Sequence, residues 1–263
     1  MRITEALVAP AAAVSEVAWR VAVDGTPRVL AGLAAAASGG KPMRLTAHDV
    51  RVALGRPGGE ADDPAPFAWS TRTAQRSLGL AAVESLLFGT SRSPVDAVRE
   101  VVADAVRRGG GGTQPPSRLD RWLAGLPPAG RAAVGAAAVT WATRLWCAVD
   151  WDALPTPLVI GRDHWWHSPD SALLALRSRA EVRCGSAHLV VLTGERRASA
   201  RQELSLVTLV EALRARDGAP PLPVVGWWPD SGHLVRVDSE PAVLDMAVAG
   251  IGAVLRSRRR VAA

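Results

Sequence analysis

The sequence predicts an α/β protein with a mixed central sheet flanked by helices, preceded by an α-helical subdomain. Three observations carry this expectation. Apolar residues recur at spacings of three and four through the middle of the chain, the pattern changes to short strand-like runs after Trp151, and these then alternate with helical segments. With 263 residues, 48% apolar and 21% charged, the chain can bury one large core or two small ones, which excludes collagen-like, coiled-coil, disulfide-scaffold and disordered classes.

The first sixty residues are weakly patterned. They read as an alanine-rich helix around Ile3 to Val23, a second around Pro27 to Ala37, and a short one near Ala47 to Leu54. Gly55 to Pro66, with three prolines, three glycines and three acids, reads as a linker. Beyond it, Ser70 or Thr71 can cap a helix carrying Leu78, Ala82 and Leu86. Ser93-Pro94-x-Asp96 reads as an N-cap, an N1 proline and an N3 acid, opening a helix with Val95, Val98, Val102 and Val106 on one face. Ser117-x-x-Asp120 opens a short helix, and Pro127-Pro128 a longer one with Val134, Ala138, Trp141 and Leu145 in line.

After Trp151, Pro157 to Gly161, Leu173 to Arg183 and His188 to Thr193 read as strands, with Cys184-Gly185-Ser186 as a turn. Arg197 to Arg216 is apolar over so much of its circumference that it should lie against a sheet. Leu222 to Trp228 and His233 to Val237 read as strands around a Pro229-Asp230-Ser231-Gly232 turn, and Pro241 to Arg256 as a closing helix. The expected divisions are a small helical region at 1–60, a helical subdomain at 67–150 and an α/β core at 151–263.

Lys+Arg 31 against Asp+Glu 25 gives a net charge of +6, a modest excess for this length. With a single lysine, Lys41, and no tyrosine, little titrates between neutrality and the arginine range, so a small arginine surplus alone carries the isoelectric point upward. Arg256, Arg258, Arg259 and Arg260 cluster at the end, where cations offset the negative end of a helix dipole. Cys147 and Cys184, far apart and without CxxC spacing, fit unpaired buried thiols in a reducing, cytoplasmic compartment. Neither an apolar run long enough to cross a membrane nor a secretory leader is visible, so no membrane partner is expected.

The densest polar cluster is Arg162-Asp163-His164-Trp165-Trp166-His167-Ser168-Pro169-Asp170. Histidines three apart with flanking acids suit a metal, but the segment lies beside prolines and lacks a third placed ligand, so a loop with its tryptophans folded on the core is expected. Trp165, Trp166, Trp227 and Trp228 could stack bases, although adjacent residues on a strand face opposite ways and core packing is the commoner use. No phosphate loop, GxSxG elbow or dinucleotide fingerprint occurs, and Gly109 to Gly112 follows a helix where an anion cradle must precede one. Ser231 with His233, a turn serine beside a strand histidine, is a weak basis for acyl transfer.

Arg179-Ala180-Glu181, the following strand ending in Thr193-Gly194, and the helix opening Arg201-Gln202-Glu203 resemble the PD-(D/E)XK nuclease superfamily in its RecB-like branch. There a GRxD strand is followed by a DYKTG strand and a helix with a QxxxY signature. Arg179 and Glu181 fall on the first motif, Thr193 and Gly194 on the end of the second, and Gln202 on the start of the third, with Leu206 at its tyrosine position. Gly79 to Val83 resembles the helical GxxxH motif of the same branch. The resemblance implies a restriction-endonuclease-like core in which two carboxylates hold magnesium and a lysine orients the attacking water.

In this chain the second carboxylate position is Val190, the lysine position Leu192 and the histidine position Val83. Glu181 alone could remain a ligand, or it is an exposed or arginine-paired strand carboxylate. Glu195, Glu203 and Asp163 are candidate relocated carboxylates. Arg197 or Arg201 could stand in for the lysine, although arginine, always charged, carries protons poorly. The resemblance therefore implies a DNA-associated accessory protein of DNA processing or repair with a degenerate catalytic centre, meeting DNA through Arg179, Arg197, Arg201, Arg258, Arg259 and Arg260, and acting beside DNA or a protein partner. No cofactor is expected. The alternatives are an active magnesium-dependent DNase with Glu181 as metal ligand, and a non-enzymatic interaction protein.

Overall fold

The computed structural model describes residues 2–37, 41–55, 68–111, 115–169, 171–194, 199–215 and 217–262, without the side chains of Gly55 and 259–262. The Gly39-Gly40 pair, Asp170, Glu195, Arg197, and the linker expected at 55–66 after its first residue lie outside them, as do the side chains of Arg259 and Arg260.

The chain divides into two compact units, one made of residues 1–65 with 152–263 and the other of 66–151. The first begins with α1 (Ile3–Val8), α2 (Glu16–Ala37), β1 (Met43–Thr46) and α3 (Ala47–Gly55). The second holds four helices: α4 (Thr71–Leu87), α5 (Pro94–Gly109), α6 (Arg118–Gly125) and α7 (Pro128–Ala148). The first unit then resumes with β2 (Val159–Ile160), β3 (Asp163–His167), β4 (Leu174–Arg179), β5 (Val182–Arg183), β6 (His188–Val191), α8 (Ala200–Arg214), β7 (Val224–Trp228), β8 (His233–Val237) and α9 (Pro241–Ala262).

In the helical unit the caps stand where the serines do. The hydroxyls of Ser70, Ser93 and Ser117 accept the N3 amides of α4, α5 and α6, satisfying donors that a helix start leaves open. Gly79 is required for packing: a Cβ there would overlap the Trp141 ring, so its absence lets α4 and α7 close on each other. The valine stripe of α5 is only partly covered. Val98 is buried, but Val95, Val102 and Val106 line an open groove of about 660 Å³ toward α7.

The mixed sheet of the α/β unit is in fact two sheets, ordered β1-β4-β3 and β2-β5-β6-β7-β8. One hairpin joins them. Val159↔Arg183 and Ile160↔Val182 in the second sheet continue in the same register as Asp163↔Arg179 and the pairs beyond in the first. At the junction the Gly161 amide donates to the Glu181 carbonyl at 2.9 Å, and Gly161, at φ 64°, turns one arm where Ala180-Glu181 turns the other.

Two expectations are thereby corrected. Asp163 to His167 is a strand and not a loop, because its side chains alternate between a core face bearing Trp166 and an outer face bearing Asp163, Trp165 and His167. The N-terminal region, read as helical throughout, also supplies β1, whose Met43 and Leu45 bury while Arg44 points out, so the chain start joins the α/β core. The linking element is α8: Leu204 and Val207 pack with the five-stranded sheet, and Leu206, Leu209 and Val210 with α2, α9 and the inner face of the three-stranded sheet.

Candidate functional site

Glu181 sits at the hairpin bend where the two sheets part. Its side chain is fully buried, with one carboxylate oxygen accepting the Val191 amide of β6 at 2.6 Å and the other 3.6 Å from Nε of Arg179. Of the two structural roles open to it from sequence, the arginine-paired one is seen and the exposed one is not. Val190 and Leu192, at the second-carboxylate and lysine positions, pack in an apolar cluster with Ala180 and Leu204. Glu203 is buried in the first turn of α8, accepting from Ser199 at 3.5 Å, and Arg201 beside it is exposed. Leu206 and Val83, at the tyrosine and histidine positions of the resemblance, are core residues. Arg258 is engaged inside the fold, donating to Asp49 at 2.7 Å. The structure therefore brings Arg179 and Glu181 together and places Arg258 apart from them. Among the described residues no three His, Cys, Asp or Glu side chains converge as a metal site would need. His164 and His167, three apart on β3, face opposite sides.

A second polar constellation lies between the hairpin and α8. One Glu211 carboxylate oxygen accepts from Nδ1 of His164 at 2.7 Å, and its other oxygen accepts from Ser178 at 2.8 Å and Arg183 at 3.3 Å. Arg183 also donates to Ser178 and to the carbonyl of Arg162. Burial alone would push the Glu211 carboxyl up, but the His164 hydrogen bond, the charges of His188 and Arg183 and the Ser178 hydroxyl together hold it below its ordinary value. His188 is buried beside this group with Nδ1 lacking a hydrogen bond, and desolvation, aided by the Arg183 charge, drives its pKa to about 4. A carboxylate held low by three donors is a poor base, and Ser178 donates to it and not to an imidazole, so no nucleophile is activated. The cluster pins α8 to the hairpin. Sequence reading missed Glu211, Ser178, Arg183 and His188 because 47 residues separate His164 from Glu211. The available signal was an acid on an otherwise apolar helix face.

The outer face of the three-stranded sheet is different in kind. Trp165 stands on β3 opposite Arg177 of β4, and Arg44 of β1 reaches over Ala175 toward the same ring. The two guanidinium carbons lie 5.9 Å (Arg44) and 5.7 Å (Arg177) from the indole centroid, within cation–π range. His167 stacks beside Trp165 with centroids 6.3 Å apart, and Arg179 occupies the next outward position of β4. Asp163, ion-paired to Arg177, is the acid of this face. The sequence cluster thus splits by alternation, with Trp165 outward and Trp166 in the core, while Trp227 and Trp228 are both buried.

No family model matches this chain, and no curated protein or solved structure is significantly similar to it. Three loci therefore bear on its function. One is a satisfied buried carboxylate, one a structural polar cluster, and the third an arginine–tryptophan surface on which Arg44 is exposed, Trp165 and Arg177 are half-buried, and Arg177 and Arg179 pair with Asp163 and Glu181.

Proposed function

We propose that this chain is a DNA-associated accessory protein whose core keeps the architecture of a RecB-like PD-(D/E)XK nuclease without its chemistry. Nucleic acid contacts the outer face of the three-stranded sheet. The observation that carries this reading is Trp165 flanked by Arg44 and Arg177, with Arg179 alongside. Cations there meet phosphates, and an unpaired base stacks on the indole by displacing one of the guanidinium groups now over the ring, a combination suited to single strands.

Support for an accessory role comes from the Glu181 locus. The strand–strand–helix order of β5, β6 and α8 follows the order the resemblance implies, yet the positions of the second carboxylate and the lysine are apolar. The remaining carboxylate is taken by a main-chain amide and an arginine. One buried carboxylate does not hold two magnesium ions. No helix among the described residues is long and apolar enough to cross a membrane. Of the two thiols expected to be buried, Cys184 is and Cys147 is exposed; both are unpaired, which in this reading fits a reducing, cytoplasmic compartment.

The test is cleavage of single- and double-stranded DNA with magnesium or manganese, comparing wild type with Glu181→Ala. The expected result is no cleavage by either protein. Metal-dependent cleavage lost in Glu181→Ala would overturn the accessory role and establish an active DNase with a relocated carboxylate.

A further inference from the structure

The outward face of α2 has no counterpart among the described residues. Trp19, Thr26, Leu30 and Ala34 turn into the core, whereas Val17, Val21 and Val29 are 75%, 71% and 51% exposed. These valines and Gly25 follow one another at intervals of four, which makes a single ridge along the helix. Open space lies where a Gly25 side chain would stand, so no described residue uses the room left by a residue that weakens a helix interior.

A second ridge of the same spacing runs beside the first: Glu16, Arg20, Asp24 and Arg28, all exposed and alternating in sign. Glu16 and Arg20 approach to 4.0 Å between side chains 78% and 63% exposed, a pairing that is readily exchanged. Asp24 and Arg28 form no ion pair with any described residue. The ridge sums to zero charge, which disfavours a phosphate backbone as its occupant.

We propose that α2 packs antiparallel against α2 of a second copy of this chain. Two helices related by a two-fold axis bring the same flank together with the direction reversed, so each charged ridge meets its own reverse. An axis near residues 22–23 sets Glu16 opposite the partner's Arg28 and Arg20 opposite the partner's Asp24. The same placement sets Val17 opposite the partner's Val29 and Val21 opposite the partner's Gly25, whose missing side chain receives the valine. The ridge extends about 20 Å, so the buried area is at the small end for specific interfaces and the dimer is weak, with a Kd in the micromolar range or above.

Sedimentation velocity of the full chain from about 1 to about 500 µM covers the micromolar range. The expected result is a rise from monomer toward dimer, abolished by Val21→Asp and by Asp24→Arg, and regained in the double variant Arg20→Asp with Asp24→Arg, which restores opposite signs across the axis. Far-UV circular dichroism identifies any variant that does not fold, and Val17→Asp replaces Val21→Asp in that event. A wild type that is monomeric throughout, a dimer indifferent to either single substitution, or a folded double variant that stays monomeric overturns the proposal.

Discussion

His188 shows how one side chain sets a property of the whole fold. Its folded pKa of about 4 lies below the ordinary 6.5, so between those values the unfolded chain takes up a proton that the folded chain refuses. Stability therefore falls as pH drops from about 6.5 to about 4, by roughly 3 kcal/mol in all. Glu211, held below its ordinary value of 4.5, adds a further loss that begins only as pH falls below that value. Urea unfolding midpoints measured across this interval should decline steeply for wild type and more gently for His188→Gln. Glu181 carries a second prediction at this scale. Its replacement by Ala leaves the Val191 amide buried without an acceptor and should cost about 1–3 kcal/mol, read as a lowered Tm. Sequence made the caps legible, because Ser70, Ser93 and Ser117 act on amides three residues away. It could not reveal Glu211, whose partners come from three distant strand positions.

At the level of elements, α1 is held by side chains from the far end of the chain. Arg236 of β8 donates to the carbonyls of Ala6, Ala9 and Pro10 at 2.7, 3.1 and 2.8 Å, and Ser186 donates to that of Leu7 at 2.7 Å. These occupy acceptors that a helix end leaves open. Arg236→Ala should release α1 locally: hydrogen exchange at residues 3–8 rises sharply while the five-stranded sheet keeps its protection. In the helical unit, Gly79→Ala drives a methyl into the Trp141 ring and should lower stability by about 1–3 kcal/mol, seen as a fall in Tm. The glycine that resembled a nuclease motif is thus explained by helix packing. Elements with a strong period were legible, α8 above all, since its apolar circumference foretold burial between layers. β1 and β3 were not, because four or five residues give too short an alternation, and the charges and histidines of β3 belong to its exposed face.

At the scale of the molecule, the class α/β with helices on a mixed sheet is correct, and the division into two sheets is the part that sequence concealed. Residues 174–183 read as one strand and do run as one arm of a hairpin, but the bend at Ala180-Glu181 transfers that arm from one sheet to the other. This bend buries Glu181, while the opposite side of the three-stranded sheet carries the exposed Arg44 and the half-buried Trp165 and Arg177. The function proposed here rests on that surface, whose residues come from three strands and were not assembled by any linear motif. Its most direct test is fluorescence anisotropy of labelled single- and double-stranded oligonucleotides, titrated with wild type, Trp165→Ala, and Arg44→Ala with Arg177→Ala, over a range of salt. Binding should weaken with salt at a log–log slope of about −2 to −3, made shallower by one to two in the double arginine variant. Trp165→Ala should weaken single-strand binding by roughly 5- to 100-fold, and duplex binding less. No binding at low salt, or binding whose affinity and salt slope ignore all three substitutions, would contradict the proposed function.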